Sequence, residues 1–468
     1  MVDQKPPPPW LKEHLVKVPA TQEHLENWVY QNATQFLHFQ WHSEMNALAL
    51  FFPWGMATDM CSLLLKHRVD EFWKVAKDSW DMILVDSLFA PCGHAITIIS
   101  EAPNAILHTT LAEPVNVAYR GIPALAHITA PVFVNPHRIW SAASFRSRLE
   151  STIDLLMEDG VMRAINYFLI QPVIGDVVHK ATGTQYSYYN YIRKAEASFI
   201  EFPETIDWPV PRVHDMIQMG SHCSGAAGNQ ALLPSDLETV LSDPASKGTI
   251  LVAFGTLLDF ATAPAQLSKT FINALLQMTD YRIVFQYKKQ IKAKHIQVMP
   301  WLPQQAILHH KSTKLFISHG GMKSLKETIC AAVPVLYMAL FAEQNRNAVL
   351  AEVRGFGKRI YKRSFTQEEM VAKMTELLTN KSYANTVRKI RDQWLDHPIP
   401  QLERAAWWTE YIIRRGGLPS VVFSRSGMDL YWFQYWNLDV LGMVTFGCIS
   451  IVTLAYLGLR DLFGKKAE

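Results

Sequence analysis

The feature that most constrains the fold is an alternation in the second half of the chain. Short apolar runs stand at 250–254 (ILVAF), 282–285 (RIVF), 296–299 (IQVM), 314–318 (KLFIS) and 335–338 (VLYM). Helix-like periodicity fills the intervals at about 264–278, 322–332 and 346–354. Strands that read as nearly continuous apolar runs, each followed by a helix, belong to parallel sheets covered on both faces. Two further runs, 82–85 (MILV) and 105–107 (AIL), predict the same architecture in the first half. With 468 residues the chain can bury more than one core. The expectation is therefore an α/β protein of two doubly wound, Rossmann-like domains with a cleft between them. A stretch rich in Gly, Ser and Ala at 220–228 suggests the linker, and the domains are drawn at 1–233 and 234–437.

The C-terminus carries a different message. Residues 440–459, VLGMVTFGCISIVTLAYLGL, contain no charge and are long enough to cross a bilayer. Tyr431, Trp432, Phe433, Tyr435 and Trp436 precede this run as an interfacial belt would, and Arg460, Lys465 and Lys466 follow it. We therefore expect a transmembrane helix over 438–459 and a short cytosolic tail over 460–468, with a buried core helix as the alternative. Lys465-Lys466 near the chain end resembles a dilysine retrieval signal of the endoplasmic reticulum. Residues 1–10 are polar and then proline-rich, without the apolar run of a secretory signal. The bulk of the chain is expected in the lumen if its natural precursor carries a signal, and in the cytosol otherwise. Sequons at Asn32 and Asn380 matter only in the first case. The five cysteines show no Cys-x-x-Cys spacing, so neither a disulfide framework nor a structural zinc site is expected. A net charge of +3 gives no sign of a nucleic-acid partner.

The chemistry concentrates between 301 and 348. A strand ending at Ser318 runs through His319-Gly320-Gly321 into a helix. Two glycines let backbone amides approach an anion, and the helix N-terminus adds partial positive charge. Such a site lies at the carboxyl edge of a parallel sheet, where ligands of these folds bind. His319 is then placed to donate to a phosphate oxygen, Glu327 to accept from sugar hydroxyls, and Trp301 to offer a flat face to a base. Each residue also has a plainer reading. Gly-Gly after a strand is often a tight turn, Lys323 and Glu327 suit a helix-face ion pair, Trp301 suits a packed turn, and His319 suits a satisfied core histidine. The combination at these spacings is more specific than any member.

The order Trp301-x-Pro303-Gln304, His319-Gly320-Gly321, Glu327, Phe341-Ala342-Glu343-Gln344 resembles the signature of the UDP-glycosyltransferase family, UDP-glucuronosyltransferase type. The resemblance implies a GT-B fold and a UDP-sugar co-substrate, with no further cofactor. It implies that Trp301 stacks on uracil, Gln304 meets the ribose region and Glu327 accepts from the ribose. His319 with Gly320 and Gly321 would hold the diphosphate, and Glu343 with Gln344 would touch the sugar. Gly255-Thr256 stands where the family's Gly-Ser contacts phosphate. Glu343 replaces the usual aspartate, and Lys323 stands where asparagine is favoured.

In the first half, 81–86 (DMILVD) followed by Pro91-Cys92-Gly93 is similar to the family's strand ending in a buried aspartate. Asp86 would then orient a base histidine that deprotonates the acceptor; an aspartate capping the next helix is the plainer alternative. No strand-and-histidine element precedes Asp86, and His38 and His42 are not assigned to that role. The resemblance runs from about residue 30 to the tail, strongest over 252–357, and leaves 1–17 unmatched. No Asp-x-Asp motif suggests a metal, so leaving-group charge would fall to amides, helix dipole and His319. The implied activity is transfer of glucuronate or a hexose, with inversion, to a small lipophilic acceptor. The implied partners are a membrane and further copies of family members in homo- or hetero-oligomers. The alternative is a catalytically silent, membrane-anchored interaction protein lacking the base histidine.

Overall fold

The computed structural model describes residues 30–44, 46–135, 137–208, 210–223, 233–255, 258–418 and 426–464. In the first half, β1 (Ile83–Asp86), β2 (Asn104–His108), β3 (Ala197–Ile200) and β4 (Met216–Gln218) pair in parallel in the order β1-β2-β3-β4. In the second half, β5 (Thr249–Ala253), β6 (Arg282–Gln286), β7 (Ile296–Met299), β8 (Thr313–Ser318), β9 (Val335–Tyr337) and β10 (Gly357–Arg359) form a parallel sheet ordered β10-β9-β8-β5-β6-β7. Every residue of β5 is buried, as befits a central strand with helices on both faces. The order reverses between β5 and β8, so their carboxyl ends diverge and leave a crevice.

The expected strands recur within a residue or two at each end. Helices Ala265–Leu276, Met322–Ala331 and Gln344–Val353 fill the expected intervals. The strands β3, β4 and β10 lay outside the expectation. β10 reads Gly-Lys-Arg and has no apolar run to reveal it.

The two halves are tied together repeatedly. Helix Gln401–Arg415 returns to the first sheet and packs Ala405 and Ile412 against Ala105, Ala197, Phe199 and Ile217. Helix Tyr30–His42 crosses the other way: Trp41 enters the second-domain core, bonding Thr262 Oγ1 at 3.2 Å. Ion pairs add to these links: Lys326 pairs with Glu201 at 3.0 Å, and Arg346 with Asp207 at 2.5 Å. Most of the expected linker, 224–228, lies outside the described residues, as does the Lys465-Lys466 tail.

The cysteine expectation is corrected. Cys61 bonds Cys92 and Cys223 bonds Cys330, across sequence separations of 31 and 107. Pairing follows proximity in space, and the Cα–Cα distances of 5.4 and 5.6 Å are those of bridged residues; local spacing carried no sign of it. Cys448 is free and exposed.

Three described helical stretches are apolar and long enough to cross a membrane: Ala47–His67, Phe145–Thr182 and Leu438–Arg460. The first two contribute buried residues to the first-domain core, among them Trp54, Leu155, Met162 and Ile165. None of the apolar window in Leu438–Arg460 is buried in the protein. Phe446 and Leu454 are exposed on its surface, so this helix is the candidate membrane span.

Candidate functional site

A cavity of about 870 Å³ opens between the two sheets. Its second-domain wall is assembled from the carboxyl ends of the central strands, because β5 and β8 both end at the crevice. Gly255 follows β5 and His319 follows β8. The imidazole lies between two glycines. A Cβ on Gly255 would stand 2.9 Å from His319 Cε1, and one on Gly321 would stand 2.5 Å from Nε2. Both glycines are therefore required for the ring to sit where it does. Gly255 has φ +78° and Gly320 φ +91°, a left-handed backbone that side chains resist.

Burial pushes the His319 imidazole down to a pKa of about 4, so the ring is neutral at pH 7. Its Nδ1 is buried without a hydrogen-bond partner among the described residues. A buried, unmatched ring nitrogen beside an open cavity is an unmet hydrogen-bonding capacity. Directly after it, helix Met322–Ala331 begins at Gly321 with no side chain capping its N-terminus. Gly320 is set back from the cavity wall, its carbonyl held by Asn347 Nδ2 at 2.8 Å.

Glu327, about one and a half turns into this helix, does not pair with Lys323. Its carboxylate is held by Gln304 Nε2 on one oxygen and by Gln305 Nε2 at 3.0 Å on the other. Gln304 also reaches Ser324 Oγ at 3.4 Å. Trp301 stands just before these glutamines, 59% exposed at the cavity wall. A large aromatic ring left half in solvent beside an oriented carboxylate is poised for a flat ligand rather than packed as a turn residue. Gln305 was not singled out in the sequence, although it continues the Gln-Gln doublet after Pro303.

The loop after β9 adds Glu343 and Gln344. Gln344 Oε1 accepts the amides of Leu340 at 2.9 Å and Phe341 at 3.1 Å, which fixes the loop. Burial raises the Glu343 carboxyl to about 7, against hydrogen bonds from its own amide and that of Met322. Lys323 is exposed and lines the same cavity. Thr256 lies outside the described residues.

The first-domain wall is mostly apolar: Phe36, Leu50, Pro53, Leu88, Phe89 and Met162 face the cavity. Asp86, at the end of β1, lines it too, but is half-buried rather than buried. It does not cap the next helix. Its carboxylate accepts from the Leu88 amide at 3.0 Å and from Thr109 Oγ1 at 2.7 Å. Burial raises its pKa, with the neighbouring Glu113 adding to the effect. Of Asp86, His94 meets the backbone oxygen, Nε2 at 3.2 Å, while its Nδ1 faces the Tyr186 hydroxyl at 3.4 Å. His38 and His42 stack on each other in helix Tyr30–His42. One cluster escaped the sequence reading: Glu113 gathers His108 Nδ1 at 2.9 Å, Asn116 Nδ2 at 2.9 Å, Thr110 Oγ1 at 3.2 Å and Ser87 Oγ at 3.3 Å.

Comparison with known proteins agrees with this geometry. The family model described as UDP-glucoronosyl and UDP-glucosyl transferase matches residues 7–465. It reaches into the segment expected to match nothing, which corrects that expectation. A UDP-glucuronosyltransferase of Pleuronectes platessa is 27% identical over 389 residues, covering 81% of this chain and 78% of that protein. The solved glycotransferase of kitacinnamycin superposes with a TM-score of 0.51 at 17% identity, covering 80% of this chain and 83% of that one. LpCGTa, solved in complex with UDP, superposes with a TM-score of 0.50 at 15% identity, over 77% and 81% of the two chains. The chain belongs to the UDP-glucoronosyl and UDP-glucosyl transferase family and is a glycosyltransferase with the GT-B fold.

Proposed function

We propose that the chain transfers glucuronate or a hexose from its UDP form to a hydroxyl of a small lipophilic acceptor, with inversion. The observation that carries the reading is the cavity itself. One wall gathers His319, Gly321, Trp301, Gln304 and Glu327, and the other is mostly apolar, with the half-buried Asp86 at the end of its first strand.

On this reading Trp301 lies against the uracil and Glu327, held by its two glutamines, accepts from the ribose. The diphosphate rests on Gly255, the Gly320–Gly321 turn and the N-terminus of helix Met322–Ala331. His319, neutral and with an unmet nitrogen, donates to a phosphate oxygen. Glu343 and Gln344 meet the sugar, and Lys323 adds a mobile positive charge near the leaving group. In the transfer the acceptor oxygen forms its bond to the anomeric carbon from the face opposite the diphosphate. The bond from that carbon to the phosphate oxygen breaks, and UDP leaves with the electron pair. Charge that builds on UDP meets donors already in position, which is where such sites gain most of their rate. The acceptor proton leaves toward the first-domain wall, where Asp86 supplies the negative charge that holds it.

We place the protein in the endoplasmic reticulum membrane with its bulk lumenal. Supporting this are the apolar helix Leu438–Arg460 and two disulfides, which persist in oxidising compartments. Asn380, exposed at the start of helix Lys381–Leu395, is the sequon available for glycosylation; the side chain of Asn32 lies outside the described residues.

The test is turnover by the full chain in detergent, with UDP-glucuronate and UDP-glucose against a panel of lipophilic alcohols and phenols. Product formation that His319→Ala abolishes supports the reading. UDP binding without turnover of either donor would move the protein to the silent, interacting alternative.

A further inference from the structure

Three carboxyl groups stand at the first-domain wall, Asp86, Glu113 and Glu158, and their surroundings give each a different part. Glu158 is buried, and burial pushes its carboxyl well above the usual range, so it already holds a proton and can receive none. Glu113 is buried too, and both its oxygens are engaged by the protein, through Ser87, His108, Thr110 and Asn116. Asp86 alone of the three is half-buried. Its carboxylate takes the Leu88 amide at 3.0 Å and the Thr109 hydroxyl at 2.7 Å, and Thr109 itself lines the cavity. The division follows from the register of β1 on β2. Asp86 pairs with Leu107, and along a strand every second residue returns to the same face. Thr109, two residues past Leu107, comes to the side of Asp86, whereas Ser87, His108 and Thr110 fall on the other side and meet Glu113. Among the described residues Thr109 is the one side chain that donates to the Asp86 carboxylate.

We infer that Thr109 is a positioning residue for the transfer, its hydroxyl fixing the Asp86 carboxylate in the orientation that receives the acceptor's proton. The inference rests on the transferase reading, in which Asp86 holds that proton. The proton passes from the acceptor oxygen to the carboxylate as the oxygen bonds the anomeric carbon and UDP departs with the electron pair; Thr109 gains and loses nothing. Without the hydroxyl, the carboxylate keeps only the Leu88 amide and is free to turn. A hydroxyl donor also favours the ionised carboxylate, the form able to take a proton. Burial raises the Asp86 carboxyl and Glu113 adds to that, while the Leu88 and Thr109 donors and His108 oppose it. The other titratable groups facing it are His94 of helix Pro91–Ile99, on its backbone oxygen, and Tyr191 of helix Tyr188–Lys194. A change at Thr109 removes none of these.

The experiment uses the full chain in detergent as wild type, Thr109→Val and Thr109→Ser. Valine keeps the shape and loses the donor; serine keeps the donor and loses the methyl. Transfer to naphthylmethanol, an alcohol that does not titrate in the range used, is followed from about pH 4 to 8 with whichever of UDP-glucuronate and UDP-glucose the wild type accepts. UDP affinity is measured in parallel. Asp86 must be ionised to take the proton, so the rate falls as pH drops through its pKa. Removing a donor to the ionised form raises that pKa, and the acidic limb in Thr109→Val should move up by about one pH unit. The plateau kcat should fall about tenfold, with the KM for the UDP-sugar and the affinity for UDP unchanged. Thr109→Ser should restore both limb and rate. A limb that stays in place in Thr109→Val, a loss of UDP affinity there, or a serine variant as impaired as the valine one would each make the residue structural and overturn the inference, leaving the transferase reading standing. A wild type that binds no UDP, or binds it and glycosylates no alcohol, would instead overturn the transferase reading, and the inference with it.

Discussion

Substituting Gly321 by alanine isolates the contact that shapes the donor site. Gly321 has φ −63° and ψ 152°, which any residue adopts, so alanine brings no backbone strain there. The whole cost is steric, a Cβ placed 2.5 Å from His319 Nε2. Carbon and nitrogen prefer a separation nearer 3.5 Å, so the imidazole must yield by about 1 Å. It has little room, since Gly255 on its other side is also at contact. Overpacking of this kind costs about 1–3 kcal/mol. Every 1.4 kcal/mol is tenfold in an equilibrium, so UDP affinity should fall roughly 5- to 150-fold by calorimetry. The apparent unfolding temperature of the ligand-free protein should also fall by a few degrees. The decisive arm is the double variant. With His319→Ala already present the added methyl has nothing to strike, and Gly321→Ala should then cost almost no thermal stability. Gly255→Ala should be rescued only in part, because its φ of +78° adds a backbone penalty of about 1–2 kcal/mol that removing the ring cannot relieve. If Gly321→Ala lowers the unfolding temperature equally in both backgrounds, the ring does not lie where this reasoning needs it.

Three further outcomes follow from the site. Glu327→Ala removes the carboxylate that two glutamines orient, and UDP should bind about tenfold or more weakly, while uracil alone changes little. Glu343 carries a pKa raised to about 7, so it is neutral below that value and gains negative charge above it. UDP affinity should therefore fall roughly three- to tenfold between pH 6 and 8, and titration of Glu343→Gln should show most of that slope gone. Replacing Cys223 and Cys330 by serine releases a bridge across 107 residues between the post-β4 segment and helix Met322–Ala331. Loss of about 2–4 kcal/mol is expected, read as a lower apparent unfolding temperature and faster proteolysis between the domains.

The second domain was largely legible because its strands are buried on both faces. Runs such as ILVA and LFIS have few readings other than central parallel strands, and the glycines after them mark where the backbone turns at the crevice. The first domain was harder. Its strands β3 and β4 are short, and β3 reads Ala-Ser-Phe-Ile, with too little apolar length to stand out. The returning helix Gln401–Arg415 and the crossing of Trp41 into the second core are long-range packing, which periodicity along the chain does not encode. The disulfides were missed for the same reason. In the site, the motif named Gln304 and Glu327 separately, whereas their bond, and the second one from Gln305, depends on how helix Met322–Ala331 lies beside the Pro303 turn. Glu158 was invisible in sequence, since an acid in a long helix reads as surface until its burial is seen.

Everything at the site turns on where the nucleotide sits, and a crystal structure of the part preceding the apolar helix Leu438–Arg460, with UDP, measures that directly. The account predicts the uracil against the Trp301 indole, the ribose hydroxyls on Glu327, and the diphosphate within hydrogen-bond reach of His319 and the amides that open helix Met322–Ala331. UDP bound elsewhere, or bound with its diphosphate turned away from His319, would contradict it.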